Sequence, residues 1–313
     1  MESLFEQILI LFSTPLYIIL IGIEILLSNY QQRKLYSWKD TAMNIYLMLL
    51  NSVIDLFFRS VYLVILEYFY RHQWISFTNL ITYWLMLILV EDFLYYWLHR
   101  FDHEIRFFWA VHVTHHSSER MNLTVGFRSS VFQPLYRFIY FIPLALLGFR
   151  PLDILLVYSA TQIWGIFIHT ELIHKMGWLE YVFVTPSHHR VHHASNPKYL
   201  DRNMGMFLII WDKLFGTFQP ELPDSTYQPK KYGLTKSLEK ETPSIIVFHE
   251  WNQMLQDLQQ KNLSWKEKWR YVFGPPGWSH DGSRLTSDEL RQMESGSMAT
   301  QSKPALKATR PTL

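Results

Sequence analysis

Three long apolar runs constrain this 313-residue chain more than any other feature: residues 4–27, 42–66 and 77–98. About 20 apolar residues in a helix cross the hydrocarbon core of a bilayer. Each run therefore predicts a spanning helix, and the fold class is all-α, an integral membrane helical bundle. The first run is interrupted by Glu6, Gln7 and Glu24. The second contains Asp55 and Arg59, four apart on one helical face. Ionisable groups inside a span face a partner or a cavity. A mutual ion pair is expected for these two, with the wall of a polar pocket as the alternative.

Two further apolar segments, 131–147 and 152–168, flank Gly148-Phe149-Arg150-Pro151. Gly and Pro mark a turn there, so the region reads as a transmembrane hairpin, 131–168, and the chain makes five crossings. Lys and Arg are enriched in cytoplasmic loops. Arg33, Lys34 and Lys39 follow the first span, while Glu2 and Glu6 precede or open it. This places the N-terminus outside and both histidine-rich windows, 99–116 and 169–193, at the cytosolic face. The first run lacks a basic leader and is long, which predicts an anchor and not a cleaved signal peptide.

Eleven of the fourteen histidines fall in two windows. The first holds His99 and His103, then His112, His115 and His116. The second holds His169, His174, His188, His189, His192 and His193. Residues three and four apart share a helical face, so HxxxH and HxxHH spacings each present imidazoles together. Eight or nine imidazoles exceed the four to six donors of one ion, which implies two metals. Imidazole suits Zn, Cu, Fe and Ni alike. There is no cysteine for a thiolate site or a disulfide. The HExxH pattern of zinc proteases fails, because Phe107 and Gln253 stand where its second histidine belongs. A net charge of +2 points to no nucleic-acid partner.

A ligand histidine usually donates its other N–H to a carboxylate or carbonyl. Asp92, Tyr96, His99 and His103 fall on one stripe, so Asp92 and Asp102 are expected supports. Asn203, close after the second HxxHH, is expected either to bond a ligand histidine or to serve as an ordinary turn residue. Tyr95, Tyr96 and Trp97 are expected to be membrane-facing rings, with the lining of an acyl tunnel as the alternative. The apolar run 206–218 is too short to cross and is expected to pack beneath the site or lie in the interface. Residues 222–285 read as a cytosolic or interfacial helical extension. Within it Thr242-Pro243 opens a helix, and Ser264-x-x-Glu267 resembles a capping box. Trp265, Trp269 and Phe273 are expected to pack on the body, with membrane docking as the alternative. The tail 286–313, rich in Ser, Thr, Lys and Pro, is expected to be disordered. The domain plan is thus 1–98 membrane helices, 99–221 catalytic region with the hairpin, 222–285 extension and 286–313 tail.

The histidine pattern resembles the sterol desaturase / fatty-acid hydroxylase superfamily. The stretches EDFLYYWLHRFDHE, WAVHVTHHSSERMNLT, IHTELI, TPSHHRVHH, IIWDKLFGTF and GPPGW are similar to its alkylglycerol monooxygenase branch, over roughly residues 40–280. The resemblance implies a membrane-bound O2-dependent monooxygenase. Its two iron ions would be held by His99, His103, His112, His115, His116, His169, His189, His192 and His193. His174 stands one position later than the HxxxH spacing common in the superfamily. With His188 it is implied only as a further ligand or support. The implied substrate is a lipid, either an alkylglycerol ether or, alternatively, a sterol or fatty-acyl chain. Tetrahydrobiopterin or an external redox protein would be the electron donor. The implied location is the endoplasmic reticulum in a eukaryote or the inner membrane in a bacterium. A membrane metal transporter is the rival from another class. Transporters place their ligands at mid-membrane, whereas these histidines follow the spans.

Overall fold

The computed structural model describes residues 4–301, so Glu2 lies outside the described residues. No strand occurs among them; two isolated β-bridges do. The helices are α1 (Leu4–Tyr30), α2 (Trp38–Tyr70), α3 (Leu80–Glu104), α4 (Arg106–His116), α5 (Ile142–Leu146), α6 (Pro151–Phe167), α7 (Pro186–His193), α8 (Ile210–Phe215), α9 (Pro243–Leu258), α10 (Trp265–Phe273) and α11 (Ser287–Gln301). The first three are long and apolar enough to cross a membrane.

The helix α1 is turned inside out relative to a water-soluble helix. Its buried residues are Glu6, Ser13, Glu24 and Ser28, while Leu11, Phe12 and Ile18 are about 70% exposed. That is the pattern of a helix facing lipid. Its carboxylates work inward. Glu6 accepts from Arg59 of α2 and Ser159 of α6. Arg59 thus pairs with α1, and Asp55 accepts from Tyr62, 3.2 Å away. Glu24 accepts from Tyr36, Thr170 and the Leu123 amide, tying α1 to the segment that carries His169.

Burying apolar surface gains little between helices already in lipid, so packing and polar contacts hold them. Tyr83 on α3 donates to Asp153 on α6 at 2.6 Å, and Thr161 on α6 to Glu91 on α3 at 3.0 Å. Leu66, Leu87, Phe141, Leu144 and Ile154 fill the space between α2, α3 and the hairpin.

The hairpin departs from two regular spans. Residues 131–147 are a series of short 3-10 turns followed by the five-residue α5, and only α6 is a continuous helix. Pro134 and Pro143 interrupt the first limb. Irregular backbone at membrane depth survives only where protein covers it. Even so, the hairpin runs the length of the bundle. At its tip the Trp74 amide donates to Leu146 O (2.7 Å) and the Arg150 amide to Tyr83 Oη (3.0 Å), docking it on the α2–α3 connection. Gly148 sits at φ +98°, and a Cβ there would meet Ile75 O at 2.1 Å, so only glycine fits.

The helices of the extension form as spaced in the sequence, but Trp265 and Trp269 are exposed and only Phe273 meets the body, at Phe107. Thr242 caps α9, and the Ser264/Glu267 box opens α10. Both helices pack on α4, where buried Arg106 binds Glu250 (2.6 Å), Asp257 (2.7 Å) and Tyr271 O (3.3 Å). The expected disordered tail is helical over Ser287–Gln301, and 302–313 lie outside the described residues. Thr286 and Glu289 form a reciprocal cap that starts α11, and Arg291 donates to Leu200 O. The rings Tyr95 and Tyr96 are buried against the body and do not face lipid.

Candidate metal centre

Four segments bring nine histidines together at one end of the bundle. The last turns of α3 carry His99 and His103. Helix α4 carries His112, His115 and His116. His169 follows α6, and α7 carries His189, His192 and His193. Pro186 opens α7 after Thr185.

These side chains form two groups. His99, His103, His112, His116 and His192 make the first, and His115, His169, His189 and His193 the second. Within each group one ligand nitrogen per residue lies within 4.8 Å of all the others. Each HxxHH is therefore divided. The i,i+4 pair serves one group and the remaining histidine the other, in opposite senses on α4 and α7. One helical face per triplet, the simple reading of the spacing, does not hold. The groups adjoin, since the His116 and His193 rings stack at 4.4 Å.

The Nε2 atoms point inward. His112 Nε2 is 3.1 Å from His99 Nε2 and 3.2 Å from His116 Nε2. His169 Nε2 is 2.9 Å from His189 Nε2, 3.1 Å from His193 Nε2 and 3.3 Å from His115 Nε2. Two nitrogens bound at right angles about 2.1 Å from one ion sit about 3.0 Å apart. The outer nitrogens explain the orientation. Nδ1–H of His99 donates to Met204 O (2.8 Å), His115 to Arg128 O (3.0 Å), His169 to Gly165 O (2.6 Å) and His192 to Arg202 O (3.0 Å). Carbonyls only accept, so Nδ1 must carry the proton and Nε2 presents a lone pair. His103 Nδ1 reaches Asp201 at 3.1 Å. Lone pair facing lone pair cannot hydrogen-bond, and the buried Nε2 atoms of His103 and His192 have no hydrogen-bond partner.

Burial holds His112, His115, His116, His189, His192 and His193 well below the ordinary imidazole range, reinforced by neighbouring imidazoles. Burial pushes His169 down to about 4. Neutral imidazoles with inward lone pairs are the form a metal requires. The donor set fits two ions of a metal that takes nitrogen ligands.

The expected supports divide. Asp102 belongs to the site: Oδ2 is 3.7 Å from His112 Nδ1, Tyr136 donates to Oδ1 at 2.7 Å, and Arg137 stands 3.6 Å from Oδ2. Asp92 does not. It accepts from the Phe207 and Leu208 amides and from Trp211 Nε1, because the stripe it shares with His99 turns toward α8 at that height. Asn203 bonds His188 O and Gln219 in place of any histidine ring, holding a left-handed turn at φ 55°. His188 joins neither group and lies within reach of the Thr185 amide in the α7 cap. His174 is exposed and lines a separate cavity. Sequence spacing missed Asp201 and Asp212. Asp212 accepts from the Met204 and Gly205 amides and so presents Met204 O to His99. The 206–218 run thus packs beneath the site, as one of its two readings had it.

Residues 84–217, which contain all nine histidines, match the model of the family described as Fatty acid hydroxylase. The chain is 36% identical over 287 residues to the alkylglycerol monooxygenase of Homo sapiens, covering 90% of this chain and 62% of that protein. To the alkylglycerol monooxygenase of Danio rerio it is 48% identical over 141 residues, 45% of this chain and 31% of that one. The ornithine lipid hydroxylase OlsE of Rhizobium tropici is 34% identical over 142 residues, 44% of this chain and 43% of its own. The chain thus spans less than two thirds of the length of these relatives. No solved structure matches it.

Proposed function

Residues 84–217 match the fatty acid hydroxylase family, and on that premise we propose that the chain is a member and a membrane-bound di-iron monooxygenase that hydroxylates a lipid C–H bond. One observation carries the reading: nine imidazoles in groups of five and four at one end of a lipid-facing bundle. Iron held there would supply the O2 chemistry needed to attack an unactivated C–H bond. The chain's own residues do the rest. Carbonyls of Met204, Arg128, Gly165 and Arg202 fix the imidazole tautomers. Asp102, held by Tyr136 and Arg137, stands beside His112. The spans deliver the substrate from lipid and keep bulk water from one side.

The similarity to alkylglycerol monooxygenases supports an alkylglycerol as the substrate. Hydroxylation beside the ether oxygen gives a hemiacetal, which collapses to an aldehyde and a glycerol lipid. A tetrahydropterin is then the reductant. The second reading keeps the chemistry and changes the substrate to a sterol or acyl chain, supported by more distant sterol desaturases among the relatives. Lys and Arg after α1 and α3 support a cytosolic site, in the endoplasmic reticulum of a eukaryote or the inner membrane of a bacterium. The test is O2 uptake by purified iron-loaded protein. Alkylglycerol with tetrahydrobiopterin is expected to support uptake and aldehyde release. Uptake only with sterol or acyl lipid and a ferredoxin or cytochrome b5 system would favour the second reading. Bound metal with no uptake on any lipid would favour the transporter.

A further inference from the structure

Helix α10 turns its aromatic side chains away from the body. Trp265, Trp269 and Phe273 recur at every fourth residue and so form one stripe. Trp265 is 85% exposed, Trp269 62% and Phe273 42%. Tyr271 lies on the other side of the helix and is buried. Arg106 NH1 donates to its carbonyl at 3.3 Å, and its hydroxyl stands 2.7 Å from His280 Nδ1. The polar-tipped ring thus holds the helix to the body, and the large apolar rings face outward.

Helix α2 fixes the level at which this stripe sits. Its 33 residues make about 50 Å of helix, more than the hydrocarbon core of about 30 Å. Glu67 stands near its far end, and about 20 residues back from there comes Leu47. Leu47 is buried with Ile246 and Val247 of α9. Helix α9 therefore starts at the membrane boundary on the histidine side, and Phe248 is exposed there. A row of rings leads from it to α10. Phe248 meets Phe132 with centroids 5.8 Å apart, Phe132 meets Trp251 at 5.9 Å, Trp251 meets Phe107 at 5.3 Å, and Phe107 meets Phe273 at 6.1 Å. Phe132 opens the hairpin limb on which Leu135 and Ile139 are exposed, and Phe107 follows directly on the end of α3. The stripe continues the lipid-facing surface at the height where the spans emerge.

Charge selects what covers it. Lys266 and Arg270 border one edge of the stripe and Lys268 the other. The one carboxylate of α10, Glu267, is taken up by the Ser264 cap. Aromatic rings edged with cations match a layer of lipid headgroups that includes anionic phosphates. A second copy of the chain fits less well. A two-fold contact sets a patch against itself, and here it would bring Lys266 and Arg270 toward their own counterparts.

We infer that α10 lies in the headgroup layer of the leaflet on the histidine side, its three rings at the acyl boundary and its cations on anionic lipid. Arg106 then ties a membrane-docked helix to α4, which carries His112, His115 and His116.

The chain has no cysteine, so a single label can be placed at will. The test uses the full-length protein in nanodiscs with an environment-sensitive fluorophore on Lys266→Cys, and on Gln292→Cys of exposed α11 as the reference. The discs are phosphatidylcholine alone or with about 30% phosphatidylserine, each doped with lipid carrying a nitroxide near the headgroup. Quenching at 266 is expected to be at least about threefold that at 292, and to rise about twofold with phosphatidylserine. Adding Trp265→Ser and Trp269→Ser is expected to remove about half of it or more, with metal content and helix content unchanged. Quenching at 266 no greater than at 292 in both discs overturns the inference. So does quenching that the two tryptophan substitutions leave intact. Equal quenching in the two discs overturns the role given to anionic lipid. A label that shifts to the blue only in discs holding two copies, without quenching by lipid, assigns the stripe to a second chain and overturns the inference as well.

Discussion

The rings of His116 and His193 stack with centroids 4.4 Å apart, although His116 belongs to the first imidazole group and His193 to the second. Each group nevertheless draws its nitrogens from a different selection of segments. Replacing His189 by Ala removes a second-group nitrogen, and replacing His103 by Ala removes a first-group one. Each variant is expected to retain about one iron of two, by elemental analysis of purified protein. Two irons in both variants would contradict the division.

Among the described residues, Asp201 is the one carboxylate within hydrogen-bond distance of a clustered imidazole, at 3.1 Å from His103 Nδ1. Loss of such a partner typically weakens metal affinity about 10–100-fold. Asp201→Ala is expected to do so for one of the two ions. Competition with a chelator reads the affinity of each.

Gly126 approaches the second group closely. A Cβ there would lie 2.9 Å from Ile166 Cα and 3.2 Å from His169 Nδ1. Gly126→Val is expected to displace His169 and abolish the second site, while Ser at the neighbouring, partly exposed Phe127 leaves metal content near two. Iron content of the two variants decides.

Protonation gives a further test. Burial lowers His169 to about 4 and holds His112, His115, His116, His189, His192 and His193 down as well. Unfolded imidazoles titrate near 6.5. Between about pH 6.5 and 4 the unfolded chain therefore binds more protons than the folded one, and stability falls as pH falls. Metal-free protein is expected to lose Tm steadily through that window. Iron is expected to raise Tm throughout it, until protons displace the metal.

Arg106 holds Glu250 and Asp257 in a buried clamp between α4 and the extension. Arg106→Met strands Glu250 and leaves Asp257 to Arg284 alone, 2.8 Å away, and breaking such a buried pair costs about 3–5 kcal/mol. Faster proteolysis within 242–285 is the expected result, measured against an exposed control such as Lys261→Met.

Much of this was legible beforehand because membrane spans and histidine spacing are local signals. The three long helices, the cap at Thr242 and the Ser264/Glu267 box all stand where periodicity and capping place them. The supports of the imidazoles were less legible. Met204 O, Arg128 O and Gly165 O are backbone groups that any residue provides, so side-chain identity carries no trace of them. Asp92 illustrates the opposite error. Its helical face was read correctly, but the neighbour at that height is the 207–211 turn. The α11 cap at Thr286 and Glu289 was present in the sequence and was outweighed by the polar composition around it.

Since the carboxylates of α1 point inward and its hydrocarbon side chains outward, the outer face of that helix serves as an exchangeable coat. Exchanging Leu11, Phe12 and Ile18 for charged side chains alters the medium in which the molecule dissolves and touches none of the contacts of Glu6 or Glu24. A water-dispersible form of the protein is thus within reach of surface redesign alone on this helix and its lipid-facing neighbours.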